Sequence, residues 1–420
     1  MTNGSRSLRI AFLLPSFPEL SNSFVIEQVV GVLERGHQVD LFARSHKSFA
    51  GLPPALEEFG LEQRMRHLRV PSGRIARIKS AARLLAQAKG LHRAHLDALN
   101  PWRHGRRALK LLQFHTAASF LRSGPYDVLH CHFGQLGIIG DRLVQSGAVD
   151  AALVTAFRGA DMSSHYPRDP KRFRGLFRNG DLHLPVSAEV ERRLIAAGVP
   201  RDRVVLHHDG IDLRRFPFVE RTVPNGLFKL LFVGRLVEKK GVGYALEAMA
   251  KLLRSGCNAK MTIIGDGPLR LPLEALSQEL GISEHVVFAG PQPLDVVSQA
   301  MQEAHAFLAP SVTAANGDQE GIPTVLKEAM AVGLPVVSTW HSGIPELVDH
   351  GVTGYLAPER DSETLTRHLA TLLDQSENWA EMARAGREKV EAEFDTERLN
   401  DALIERYNEA VARRKARNRR

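Results

Sequence analysis

The sequence predicts an α/β protein of two Rossmann-like domains whose parallel sheets face each other across a cleft. Three observations predict it. The chain has 420 residues, enough for two or three domains with sizeable cores. Short β-type runs alternate with helical stretches along its whole length, the pattern of a parallel sheet. Those runs are almost continuously apolar, as strands covered by helices on both faces are.

The first series of strands is expected at 8–14, 38–42, 128–132, 152–157 and 183–186. A second series follows at 204–207, 229–233, 260–264, 286–289, 306–309 and 335–338. Between them, Gly210-Ile211-Asp212-Leu213-Arg214-Arg215-Phe216-Pro217 and then Pro224-Asn225-Gly226 are rich in turn residues and read as a hinge. In 74–88, Ile75, Ile78, Ala82 and Leu85 share one helical face, with Arg74, Arg77, Lys79 and Arg83 around it. Arg398, Leu399, Leu403, Ile404 and Tyr407 continue a helical pattern toward the C-terminus. The expected domains are 1–205, 206–393, and a helix with a basic tail at 394–420.

Composition removes several classes. Hydrophobic residues are 44% and charged residues 24%, ordinary for a globular chain. Two cysteines, Cys131 and Cys257, form no disulfide framework and no CxxC, so both read as core residues in a reducing compartment. The apolar runs are strand-sized and fall short of a membrane span of about 20 residues. Residues 8–14, with Arg6 and Arg9 at their start, look like a signal peptide. Pro15 and Pro18 interrupt that run and no small-residue cleavage site follows, so it reads as the first strand.

Charge is uneven. Residues 62–110 carry 13 Lys/Arg against Glu62 and Asp97, a local +11, and six basic residues lie in 412–420. Three readings are open: a solvated helix face with a frayed terminus, an anionic membrane surface, or nucleic acid. Aromatic residues are only 6%, offering little base stacking, so no nucleic-acid partner is expected.

The chemistry-bearing motifs are few. There is no GxxxxGK[ST], GxSxG, HExxH or GxGxxG, no two aspartates stand two apart, and no His pairs with Cys at zinc spacing. No metal and no resident cofactor are therefore expected, and any diphosphate must be held by cations and backbone amides. The segment Glu320-Gly321-Ile322-Pro323-Thr324-Val325-Leu326-Lys327-Glu328 leads into Ala329-Met330-Ala331-Val332-Gly333. Pro323 suits a first helical turn and Gly333, followed by Pro335, suits the stop. The amides of Ile322, Thr324 and Val325 then form an anion site flanked by Glu320 and Glu328. Two carboxylates about an anion site fit a nucleotide sugar, though acidic residues near a helix start also simply complement its dipole.

Glu-x7-Glu followed by Ala-Met-Ala-x-Gly-x-Pro-Val-Val resembles the signature of family 4 retaining glycosyltransferases, which share the two-domain GT-B fold. Gly234-Arg235-Leu236-Val237-Glu238-Lys239-Lys240-Gly241 resembles the family's diphosphate-binding Arg and Lys. Gly265-Asp266-Gly267-Pro268 is similar to its nucleotide-proximal turn. Gly210-Ile211-Asp212 is similar to its interdomain segment, and His341-Ser342-Gly343-Ile344-Pro345-Glu346 to its Gly-x-x-Glu motif. Phe17-Pro18-Glu19-Leu20-Ser21-Asn22-Ser23-Phe24 and His130-Cys131-His132-Phe133-Gly134 resemble bacterial exopolysaccharide enzymes of the colanic acid and amylovoran type.

The resemblance implies roles. The donor is a UDP- or GDP-linked sugar, with Arg235 and Lys240 on its diphosphate, Gly265 and Gly267 beside the nucleotide, and Gly321, Ile322, Pro323 and Thr324 at the anion site. Glu320 faces the sugar hydroxyls and Glu328 the ribose. Phe157-Arg158-Gly159-Ala160-Asp161 has Arg158 where members carry a donor-sugar His, and Ser21-Asn22-Ser23 replaces a glycine-rich turn. His132 is a candidate to assist at the acceptor, with a structural role as the alternative, and Glu346 is expected to serve a helix start. The first domain would take the acceptor and the terminal helix would cross back to it. The expected reaction is metal-independent sugar transfer to a lipid-linked glycan by a cytoplasmic enzyme, peripheral at the inner membrane face through 62–110. The alternatives are a small soluble acceptor, or a non-catalytic protein that binds nucleotide sugar or nucleic acid on the same scaffold.

Overall fold

The computed structural model describes residues 6–18, 23–49, 55–68, 70–87, 92–221 and 226–419. Glu19, Leu20, Ser21, Asn22, Pro224 and Asn225 of the segments above lie outside them.

Two six-stranded sheets form, and every strand pair in them is parallel. The first comprises β1 (Arg9–Phe17), β2 (Gln38–His46), β3 (Met65–His67), β4 (Val128–His132), β5 (Ala152–Phe157) and β6 (Leu182–Pro185). The second comprises β7 (Phe228–Val233), β8 (Ala259–Ile264), β9 (Val286–Gly290), β10 (Ala306–Leu308), β11 (Val336–Thr339) and β12 (Gly354–Ala357). Their orders are β3-β2-β1-β4-β5-β6 and β12-β11-β10-β7-β8-β9. Numbered from its own first strand, each sheet runs 3-2-1-4-5-6, the dinucleotide-fold order. In that topology ligands sit beyond the carboxyl ends of the strands where the order reverses. Those points are β1/β4 in one sheet and β7/β10 in the other.

The central strands are buried end to end, and each sheet carries an apolar cluster on both faces. The helices that bear on the site are α1 (Ser23–Glu34), α2 (Arg74–Gln87), α3 (Arg93–Ala98), α4 (Leu112–Leu121) and α5 (Ala188–Ala196). In the second half they are α6 (Val242–Arg254), α7 (Thr324–Ala331), α8 (Ile344–Leu347) and α9 (Thr396–Asn418).

Three expectations need correcting. Residues 204–207 do not open the second sheet: Val204 makes an isolated parallel bridge with His183 and so extends the edge of the first. β3 and β12 were not foreseen, being only three and four residues long. Pro323 is the residue before α7 rather than its first turn, with an extended ψ of 127°. As the helical pattern toward the C-terminus predicts, α9 runs on through the basic tail, where Arg413, Arg414 and Arg417 pair with Asp202, Asp150 and Asp181 at 3.0, 3.1 and 3.1 Å. Half of the tail's charge is thereby neutralised against the first domain. Leu403, Tyr407 and Ala410 of α9 are buried with the first sheet, and the Tyr407 hydroxyl meets His130 Nδ1 at 2.6 Å.

Candidate active site

β7 delivers the first group of residues. Its carboxyl end leads into Gly234-Arg235-Leu236, which lies backbone to backbone on the turn following β8. A Cβ on Gly265 would stand 2.0 Å from the Gly234 carbonyl oxygen, and one on Gly267 2.5 Å from that of Leu236. Only glycine permits that approach. The Leu236 amide donates to the Asp266 carbonyl at 2.9 Å and holds the two turns together. Arg235 is exposed on this platform, and among the described residues no side chain pairs with it.

Lys239 and Lys240 follow in a short 3-10 turn before α6. The loop from β10 to α7 comes over them, anchored where the Val312 amide donates to the Lys239 carbonyl and the Ala315 amide to Glu238, both at 2.9 Å. That loop carries Asp318 and Glu320. Lys239 Nζ lies 3.1 Å from Asp318 and 3.3 Å from Glu320, and Lys240 Nζ lies 3.3 Å from the other Glu320 oxygen. Burial would raise the Glu320 carboxyl, but Lys240 and Lys239 outweigh it and hold it at about 2. One oxygen each of Asp318 and Gln319 is buried with no hydrogen-bond donor among the described residues.

Glu320 is positioned from behind. Its amide donates to His341 Nε2 at 3.1 Å, which leaves the His341 proton on Nδ1, facing Glu359 Oε1 at 2.6 Å. Glu359 also accepts from the Thr313 amide (2.8 Å) and hydroxyl (3.1 Å), and these bonds hold its carboxyl below the usual range despite partial burial. One carboxylate thus pins both ends of the 313–320 loop.

Gly321, Ile322, Pro323 and Thr324 lead into α7, where the Leu326 amide donates back to the Pro323 carbonyl at 3.1 Å and the Thr324 and Val325 amides stay open. Glu328, one turn in, is buried with no hydrogen bond from a described residue. Burial, with the neighbouring Glu27 of α1 adding to it against Lys327, raises its carboxyl to about 7. Burial likewise raises Glu27 to about 7, against Arg215 and the Thr396 hydroxyl, which donates to it at 3.2 Å.

The first domain meets this group closely. A Cβ on Gly159 would stand 2.8 Å from the Glu320 carbonyl oxygen. The Arg158 side chain, expected at the donor sugar, instead pairs with Asp209 at 2.7 Å, its guanidinium 4.1 Å from the Phe24 ring centre and 5.1 Å from that of Phe133. Lys327 Nζ donates to the Asp209 carbonyl at 2.5 Å, so Asp209 links the two halves. His132 does not reach the cleft. It is fully buried, stacked on His130 at 4.5 Å, and burial holds it uncharged, far below its ordinary value. Glu346 of α8 serves a helix start in the other domain, accepting from the Ala188 and Glu189 amides of α5 at 2.7 and 3.3 Å.

Over 405 residues the chain is 35% identical to the putative colanic acid biosynthesis glycosyltransferase WcaL of Salmonella typhimurium, covering 94% of this chain and 98% of that one. The chain belongs to the group 1 glycosyltransferases. That family's model matches residues 216–389, the second sheet with its helices. The amylovoran biosynthesis glycosyltransferase AmsK of Erwinia amylovora is 34% identical, with 92% of this chain and 96% of that one covered. Among solved structures, Anabaena HepE in complex with UDP and glucose superposes with a TM-score of 0.68 at 18% identity, covering 96% and 99% of the two chains. WaaG, a glycosyltransferase involved in lipopolysaccharide biosynthesis, gives 0.64 at 20% identity over 94% and 98%. The fold is the GT-B arrangement.

Four residues of this glycosyltransferase's site escaped the sequence reading: Lys239, Asp318, His341 and Glu359. Lys239 and His341 stood inside quoted motifs with no role of their own, and Glu359 follows the unforeseen β12. His341→Gln should keep kcat within about threefold of wild type, because the amide oxygen accepts from Glu320 while its N–H donates to Glu359. His341→Leu should lose about 100-fold, the cost of a displacement near 1 Å in the reacting groups. Steady-state kinetics on folded variants read the difference, and equal rates for the two would remove His341 from any positioning role.

Proposed function

We propose that this glycosyltransferase moves a sugar from a UDP- or GDP-linked donor to a growing, lipid-linked glycan of an exopolysaccharide, with retention at the anomeric carbon and without a metal. What carries the reading is the unpaired Arg235 beside Lys239 and Lys240, with Glu320 between the lysines, where the second sheet's strand order reverses. The names of WcaL and AmsK supply the exopolysaccharide class, and the titles of HepE complexes with UDP and UDP-glucose favour a nucleotide-sugar donor.

In this reading residues 206–393 hold the donor and 1–205 the acceptor, with 394–420 joining them. Breaking the sugar–phosphate bond develops charge on the diphosphate, which Arg235, Lys240 and the first amides of α7 stabilise without rearranging. The unpartnered oxygens of Asp318 and Gln319, with the Glu320 carboxylate held between its two lysines, accept from sugar hydroxyls, and Glu328 accepts from the ribose. Retention follows a front-face displacement in which the leaving phosphate takes the acceptor's proton.

A thermal-shift screen over nucleotide sugars tests the donor class. One UDP- or GDP-sugar at about 100 times its Kd should stabilise by about 2.7 kcal/mol. Hydrolysis of that donor should be the same with and without EDTA. Silence across the panel would overturn the donor reading, and loss of activity in EDTA the metal-free one.

A further inference from the structure

Helix α2 keeps part of its apolar surface outward. It packs on α4 through Ala81, Leu84 and Leu85, together with Ala98 of α3. The stripe formed by Ile75, Ile78 and Ala82, at spacings of three and four, is left open, with Ile75 72% and Ile78 55% exposed. Arg74, Lys79 and Arg83 flank that stripe without an ion pair to any described residue, and the helix contains no acid. Nearby, Leu96, Leu99, Leu109 and Trp102 are also open, Trp102 92% exposed. Arg77 is different: its guanidinium is spent on the Pro71 and Lys110 carbonyls, so it braces the helix.

An open apolar stripe edged by unpaired cations fits a surface that is both apolar and anionic. Aliphatic side chains gain nothing from bases or phosphates, and the flanking cations would repel the same surface on a second copy. An anionic bilayer satisfies both, taking Ile75, Ile78 and Trp102 below its headgroups and the cations among them. We propose that α2 and the segment around Trp102 form a docking surface for anionic lipid membranes. The proposal deepens the reading of a lipid-linked acceptor, which such docking would bring to the enzyme.

Co-sedimentation with vesicles of 30% phosphatidylglycerol in phosphatidylcholine at 50 mM NaCl tests it. Wild type should pellet with these vesicles and not with pure phosphatidylcholine, and 500 mM NaCl should release it. Arg74→Glu, Lys79→Glu and Arg83→Glu together should lower the partition coefficient at least tenfold, and so should Ile75→Ser with Ile78→Ser. Both variants should match wild type in Tm and in hydrolysis of donor, since neither touches the cleft. Equal pelleting by all three proteins would overturn the surface. So would absence of wild type from the pellet, tighter binding to duplex DNA than to the vesicles, or a wild-type dimer by light scattering that Ile75→Ser with Ile78→Ser makes monomeric. Vesicle binding without hydrolysis of any nucleotide sugar would sink the enzymatic reading and leave the docking surface standing.

Discussion

Arg235→Ala and Lys240→Ala should each cut turnover about 100- to 1000-fold, or roughly 3–4 kcal/mol of barrier, the usual cost of losing one preorganised donor at a developing oxyanion. The ground-state diphosphate is already charged, so KM should rise as well. The larger change belongs to kcat, because charge grows as the glycosidic bond breaks. The two variants should differ in stability. Arg235 is exposed and unpaired, so Arg235→Ala should melt as wild type does. Lys240→Ala strips one of two cations from the buried Glu320 carboxylate and should melt lower. Arg235→Lys should remain impaired, since a point charge lacks the planar two-pronged contact with phosphate. If kcat for both alanine variants stays within about threefold of wild type, the diphosphate is bound elsewhere.

Glu328→Gln should make the ligand-free protein more stable at pH 8 while weakening nucleotide binding. The Glu328 carboxyl stands at about 7 folded against 4.5 unfolded, so folding favours its protonated form. That contribution is whole below pH 4.5, declines as pH rises through 7, and is gone at pH 8, where the folded chain carries a costly buried carboxylate. A difference of about 2.5 pKa units corresponds to about 3 kcal/mol, the ceiling on what the neutral amide regains. Two ribose hydroxyls would reward the carboxylate, so nucleotide binding near pH 7 should release a proton. Denaturant melts at pH 5 and 8 read the stability, where the Gln advantage should appear only at pH 8. Titration calorimetry of UDP in buffers of differing ionisation enthalpy reads the proton. An unchanged pH 8 midpoint and proton-neutral binding would place Glu328 outside the nucleotide pocket.

Much of this was legible in the residues. Buried strands announce themselves because both faces are apolar, so β4, β5, β7 and β8 were placed within a residue or two. β3 and β12 were missed because a strand of three or four residues at a sheet edge carries no periodicity. The Glu320 loop was found through its motif, yet its support was not. His341 and Glu320 lie 21 positions apart and Glu359 a further 18, and only the fold makes them neighbours. Arg158 and His132 show the opposite failure. Their residue types suggest chemistry, while Asp209 claims one and the His130 stack buries the other. The stripe on α2 was read from its spacing, but which side met the core depended on α4.

Glu346 ties one helix to the opposite domain. Its carboxylate covers the first amides of α5 from across the cleft, beside the Ser187 hydroxyl that covers the Val190 amide from within. Spreading the two sheets therefore unseats a borrowed cap as it admits the donor, and a cap is worth about 1 kcal/mol. At that magnitude this one contact weights the closed arrangement by several-fold. A single side chain thus shares in setting how readily the enzyme opens, some distance from any bond it makes or breaks.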